Sequence, residues 1–142
     1  MPFELVDPQG ELVANIIGLQ RPFRNRQATL PESITLDCSG RVSAIHMLGG
    51  VAWGAFPRFR NESTSMIVRC TYADGTTQDH QLINGKHIVS YEEGNDVPES
   101  KLAVKANGKQ IRYLKLPCDA SKELKSIELV KGDDFSMPLV LR

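Results

Sequence analysis

The chain has 142 residues, and its 17 lysines and arginines balance its 17 aspartates and glutamates, so its formal net charge at pH 7 is zero. This balance argues against a protein that coats nucleic acid or binds an anionic membrane surface, since both need a surplus of basic residues. The length predicts one domain over residues 1–142. A hydrophobic fraction of 41% with 24% charged residues is typical of a folded domain.

The first ten residues include Glu4 and Asp7 and lack a basic start followed by an apolar run, so they do not resemble a secretory signal peptide. The cysteines, Cys38, Cys70 and Cys118, are too few for a disulfide scaffold. Their number allows one bridge plus a free thiol, or three buried thiols that pack as small apolar side chains. The sequence leaves both alternatives open.

Short strand candidates follow one another along the chain, separated by clusters of Gly, Pro, Asn and Asp. They lie at residues 12–17, 33–36, 42–48, 65–72, 76–83, 86–91, 102–106, 110–116, 124–131 and 138–141. The connections at residues 18–32, 49–62 and 92–100 are long enough to cross between two sheets. About nine or ten such strands, with almost no helical periodicity, predict an all-β fold, namely an antiparallel jelly-roll β-sandwich of two sheets.

Three dipeptides predict tight hairpins: Asp74-Gly75, Asn84-Gly85 and Asn107-Gly108. Each supplies the two residues that a type I′ turn needs at positive φ. On this register Arg69 opposes His80.

Around Asn84-Gly85 the same register places Leu82 opposite His87 and His80 opposite Val89. The side chains then divide into two faces, one of which is apolar and predicts the core. The other face carries Ile67, Arg69, Gln78, His80, Leu82, His87, Val89 and Tyr91. Polar groups beside apolar area suit a sugar or another polyol, and the alternative is a solvated sheet face with incidental histidines.

The single tryptophan lies in a glycine-rich segment, between Gly49-Gly50 and Gly54. Glycines on both sides indicate an unusual backbone conformation. Trp53 either stacks on a sugar ring or packs into the core, and the sequence allows both.

Acidic residues are concentrated in two predicted loops. Asp133 and Asp134 follow the strand candidate at 124–131, and Glu92, Glu93 and Asp96 lie in the 92–100 connection. Loop carboxylates of this kind are candidate ligands of a structural calcium ion, and solvated loop charge is the alternative.

The three histidines match no zinc motif, although His80 and His87 with His46 or Cys70 form a conceivable set of ligands. The sequence requires no cofactor.

Three segments together resemble a galactose-binding-domain-like β-sandwich, over roughly residues 10–131. They are His-Met-Leu-Gly-Gly-Val-Ala-Trp-Gly at 46–54, Tyr-Ala-Asp-Gly at 72–75, and Asp79-His80 with Asn-Gly-Lys-His at 84–87. Such sandwiches resemble carbohydrate-binding modules and are accessory domains of exported bacterial multidomain proteins. The resemblance implies a secreted, non-catalytic module that often holds structural calcium and binds glycans through loops at one edge.

Two functional hypotheses follow. The first is carbohydrate binding, with Trp53 as the stacking platform and Arg69, His80, His87 and Tyr91 as polar contacts. The second is a structural or protein-interaction sandwich that positions a neighbouring domain and has no small-molecule ligand. It predicts an exposed apolar patch or an unpaired edge strand. A small hydrolase or lyase is a third option, which would need a deep pocket with a perturbed carboxylate or histidine.

Overall fold

The computed structural model describes Asp7, Gln9 and residues 15–20, 30–53 and 63–142. Over these residues the chain forms strands and turns but no helix. The strands are β1 (Ile16–Gly18), β2 (Ser33–Gly40), β3 (Ala44–Ala52), β4 (Thr64–Tyr72), β5 (Thr77–Ile83), β6 (Lys101–Ala106), β7 (Lys109–Pro117), β8 (Leu124–Lys131) and β9 (Met137–Leu141). The predicted all-β fold is therefore confirmed.

The strands form two antiparallel sheets, with the orders β1-β9-β3-β7-β6 and β2-β8-β4-β5. Apart from the β4–β5 and β6–β7 hairpins, each strand is followed by one in the other sheet. This alternation is the winding of a jelly roll, in which two sheets pack face to face. The predicted jelly-roll sandwich agrees with this order.

The core lies between the two sheets because strand alternation directs one side chain in two inward. Met47 and Leu114 of the five-stranded sheet pack in one cluster with Val68 and Leu129 of the four-stranded sheet. At one end a second cluster is built on buried Cys70. We call the sides that point away from this core the outer faces of the sheets.

Most predicted strand boundaries agree with the structure to within a few residues. The strand predicted at 124–131 has the predicted bounds, and the one predicted at 42–48 extends to Ala52. Of the strand predicted at 12–17, residues 12–14 lie outside the described residues, and β1 begins at Ile16.

The Asn107-Gly108 turn is the predicted type I′ hairpin. Both residues take positive φ, 51° and 75°, and Ala106 pairs directly with Lys109. The turn thus fixes the register of β6 against β7.

The Asp74-Gly75 turn is one residue longer than predicted. Gly75 takes a φ of 83°, and the Tyr72 amide donates to the Thr76 carbonyl, which closes a three-residue loop. The Asp74 carboxylate accepts hydrogen bonds from the Thr76 hydroxyl and amide, and these bonds lower the pKa of Asp74 to about 2. They also stabilise the longer loop, so the register of β4 against β5 shifts by one residue.

The predicted pairing of Arg69 with His80 is therefore wrong. Arg69 pairs with Asp79, and His80 pairs with Val68. Because Val68 is buried, His80 shares its core-facing side while Arg69 lies on the outer face. A shift of one residue exchanges the faces of a whole strand.

The hairpin predicted at Asn84-Gly85 is also wrong, and residues 86–91 form no regular strand. The chain turns at Ile83, whose carbonyl accepts from the amide of His87. It then crosses to the other sheet, where the Val51 amide donates to the Val89 carbonyl. Consecutive burial of Ile88, Val89 and Ser90 explains this path, since a strand with one solvated face would alternate.

A buried ion pair between Lys131 and Asp134 lies where β8 ends, and serine hydroxyls link it to the start of β4. The Asp134 carboxylate accepts from Lys131 Nζ at 3.1 Å, from Ser65 Oγ at 2.6 Å and from Ser136 Oγ at 2.6 Å. Ser63 Oγ donates to the same carboxylate at 3.0 Å. The Lys131 and Asp134 side chains are only 9% and 6% exposed, so the pair depends on these hydrogen bonds.

Asp134→Asn should lower the free energy of unfolding by about 3 kcal/mol, because it leaves the Lys131 charge buried without its partner. Urea denaturation measures this loss. Asp133→Asn is the matched control, since Asp133 is exposed, and we expect it to change stability by less than about 0.5 kcal/mol. Equal losses in the two variants would contradict the importance of the pair.

The carboxylate of Asp134 should also make the stability of the protein sensitive to acid. Burial opposes ionisation of Asp134, but hydrogen bonds from Ser136 and Ser65 and the charge of Lys131 outweigh it, so its pKa is lowered. Such a group contributes stability that is complete above its unfolded pKa of about 4 and is lost as the pH falls through its folded pKa. Thermal melts should therefore show wild-type stability falling more steeply below about pH 4 than that of Asp134→Asn. Parallel profiles would refute this assignment.

Candidate functional site

A cleft of about 430 Å³ opens between the β6–β7 hairpin and residues 94–100. Polar residues form most of its lining, with one apolar side chain: Asn95, Asp96, Ser100, Lys101, Lys105, Gln110, Arg112 and Leu102. β6 forms the edge of its sheet and is exposed over its whole length. The cleft therefore lies where the five-stranded sheet extends past the core.

Arg112 fixes the wall of this cleft. Its side chain is only 2% exposed, although it carries a charge. Nε donates to Ser100 Oγ at 3.1 Å, and Nη2 donates to Asp96 Oδ1 at 2.6 Å and to the carbonyls of Val97 and Ser100 at 3.3 and 2.6 Å. Because a buried cation needs paired and hydrogen-bonded surroundings, these contacts hold residues 96–100 against β7.

Gln110 holds the preceding part of the loop in the same way. Its Nε2 donates to the carbonyls of Ser90, Glu93 and Asn95. Its backbone amide donates to the Tyr91 carbonyl at 2.7 Å. Two neighbouring inward positions of β7 thus shape the whole connection from residue 90 to residue 100.

Among the described residues that line the cleft, Asp96 is the only acidic one. The hydrogen bond from Arg112, the Val97 amide and the charge of Arg112 lower the pKa of its carboxyl. Asp96 is therefore ionised at neutral pH and engaged by protein donors.

The residues predicted as ligand contacts do not share one surface. On the outer face of the four-stranded sheet, Arg69 donates to both oxygens of Asp79, each at 2.9 Å, and lies 3.5 Å from Glu128. His80 faces the core side, where burial lowers its pKa. The predicted common face is wrong, and the role of each residue in ligand binding stays a prediction.

His87, Tyr91 and Trp53 lie apart from these two residues. His87 Nδ1 accepts from the Ile83 amide at 3.2 Å in the turn after β5, and burial lowers its pKa. Tyr91 lies beside the other sheet, under the ammonium of Lys109 at 4.6 Å from the ring centroid. Trp53 follows the last residue of β3 with a φ of 54° and is 51% exposed, so it is neither a core residue nor part of the cleft lining.

The three cysteines are free thiols that meet at one end of the core. Burial, together with the neighbouring Cys118 and Cys38, raises the pKa of Cys70 to about 12. Its thiol is protonated at neutral pH, which suits packing rather than nucleophilic chemistry. Of the two open alternatives, the structure has three free thiols, of which Cys70 is buried and Cys38 and Cys118 are half-buried.

The calcium candidates differ in environment. Both oxygens of Asp134 accept hydrogen bonds from protein donors, whereas Asp133 is exposed. No group of three or more potential ligands that could hold a metal ion occurs within residues 15–20, 30–53 and 63–142. A calcium site at these aspartates stays a prediction.

The predicted site omitted Gln110 and Arg112, although a signal for them exists in the sequence. They lie at every second position with Leu114 and Leu116, so all four side chains point to the inward face of one strand. A polar or charged residue in an inward phase needs partners, and the adjacent 92–100 connection supplies them.

Comparison of the chain with protein-family models, curated proteins and solved structures gave no match. The resemblance to galactose-binding-domain-like sandwiches therefore stays a prediction. Within the described part of the chain, no helix has the length and apolar character needed to cross a membrane.

Arg112→Lys should loosen residues 96–100, because one ammonium cannot replace the planar guanidinium fork. We expect faster hydrogen exchange in this segment and a loss of about 2 kcal/mol in the free energy of unfolding. Arg69→Lys is the matched control on the outer face, where an exposed ion pair contributes about 0–1 kcal/mol. Unchanged exchange in Arg112→Lys would show that the guanidinium does not hold the loop.

Proposed function

We propose that the chain is a non-catalytic binding module that recognises carbohydrate in the cleft beside β6 and β7. The observation that carries this proposal is the mixture of groups lining the cleft: the Asn95 amide, the Ser100 hydroxyl and the Lys105 ammonium beside the apolar Leu102. Fixed donors and acceptors read hydroxyl groups, while C–H surfaces pack against apolar side chains. The volume of about 430 Å³ is in the range of small-ligand sites.

The chemistry of the lining supports a non-catalytic role. Glycoside hydrolysis generally uses two carboxyl groups on opposite sides of the bond, one with a raised pKa. In the described lining, Asp96 alone supplies a carboxyl group, and Arg112 lowers its pKa. This arrangement suits binding without bond cleavage.

An alternative function, positioning a neighbouring domain, is favoured by one specific observation. The edge strand β6 is exposed throughout, and its Leu102 and Val104 side chains are 51% and 53% exposed. An unpaired edge with apolar side chains is a surface on which another chain segment can pair. On this alternative, no saccharide binds at all.

Gly94→Leu tests the cleft directly. Among the described residues, a Cβ at Gly94 would meet only Lys105 Nζ, at 4.0 Å, so a larger side chain enters the mouth without clashing with their backbone. We expect at least about tenfold weaker binding of any saccharide that the wild-type protein retains, because the ligand must displace the new side chain. Affinity electrophoresis in gels that contain neutral and acidic polysaccharides measures retention.

Ala120→Leu is the matched control, because it adds the same side chain at an exposed turn beyond the far end of β7. Trp53→Ala is the second control, since Trp53 is not part of the cleft lining. Both should bind as the wild type does. Loss in Trp53→Ala without loss in Gly94→Leu would move the site to Trp53, and no retention of any polysaccharide by the wild type would favour the alternative function.

A further inference from the structure

A β-bulge in β6 determines which of its side chains face the cleft. Leu102 pairs with Arg112, but the register then shifts by one residue before Val104. Lys105 consequently pairs with Gln110 and lies on the cleft side. Strict alternation from Leu102 would instead have placed Val104 there. Bulges commonly redirect side chains next to binding sites, and this one exchanges an apolar side chain for a cation.

The ammonium group of Lys105 lies at the mouth of the cleft. Its Nζ is 4.0 Å from the position that a Cβ on Gly94 would occupy. Within the described residues no carboxylate forms a salt bridge with it, whereas the guanidinium of Arg112 is already paired. The other lining lysine, Lys101, pairs with Tyr113 and so belongs to the outer face. Among the described residues on the cleft side, Lys105 therefore offers a positive charge that no salt bridge engages.

We propose that the saccharide bound in this cleft carries a carboxylate, as a uronic acid does, and that Lys105 recognises it. The inference rests on the proposed carbohydrate-binding function and adds the class of sugar. A charge-assisted hydrogen bond from an ammonium to a carboxylate is about twice as strong as a neutral one. The three donors on a flexible stem let Lys105 meet the carboxylate while the ring lies against Leu102.

Isothermal titration calorimetry with matched charged and uncharged sugars tests whether the carboxylate of the ligand contributes to binding. The probes are trigalacturonic acid, its fully methyl-esterified form, which has the same skeleton without charge, and acetate, which has the carboxylate without the sugar. We expect the acid to bind about tenfold more tightly than the ester. This preference should shrink at about 0.5 M NaCl, where charges are screened within a few ångströms.

Three variants assign the preference to one residue. Lys105→Gln should bind acid and ester equally, and Lys105→Arg should keep the preference because it keeps the charge. Lys115→Gln makes the same charge change on the outer face of β7, opposite His46, and should behave as the wild type. Circular dichroism melts confirm that the variants fold, as expected for exposed positions.

The failures are distinguishable from one another. Equal binding of acid and ester that Gly94→Leu abolishes would overturn the role of Lys105 but leave the carbohydrate-binding function in place. Acetate binding as tightly as trigalacturonic acid would overturn the assignment to a sugar. Absence of binding by neutral and acidic saccharides alike would overturn the proposed function itself.

Discussion

The guanidinium of Arg112 lies 2% exposed beneath residues 96–100, and a charge in that position must have partners. Its partners on this connection are one exposed carboxylate, one hydroxyl and two backbone carbonyls, and Gln110 Oε1 of β7 accepts a further hydrogen bond. Gln110 of the same strand holds the preceding residues through the carbonyls of Ser90, Glu93 and Asn95. The long 92–100 connection is therefore an ordered wall of a cleft because β7 places a cation at an inward position.

Turn chemistry explains how much of the fold could be predicted from the sequence. Asn107-Gly108 gave the right register, because both residues take the positive φ that a two-residue type I′ turn requires. At Asp74-Gly75 the carboxylate bonded the backbone two residues on, which lengthened the loop. A turn that is one residue longer does not change which segments form strands. It does change the assignment of side chains to faces, because a shift of one residue exchanges the two faces of a strand.

The candidate site was harder to predict for the same reason. Apart from Trp53, the predicted contacts were chosen by a face that depended on two registers, and both registers differed from the structure. Gln110 and Arg112 could have been predicted, because alternation within β7 alone places their side chains on the same face as Leu114. The position of Lys105 could not, since a β-bulge leaves no mark in the local composition of β6.

The balanced net charge of the chain does not imply that each region is neutral, because among the described residues some cations have carboxylate partners and others do not. Asp79 and Glu128 lie beside Arg69, and Asp134 neutralises Lys131. Asp96 is engaged by Arg112, so the acidic residue in the cleft does not compensate the nearby lysine. A chain with no net charge can therefore present a positive site, because the potential there depends on which carboxylates the protein has already engaged. The same reasoning applies to Asp134, which lies in an acidic loop but already accepts hydrogen bonds from Lys131, Ser65 and Ser136.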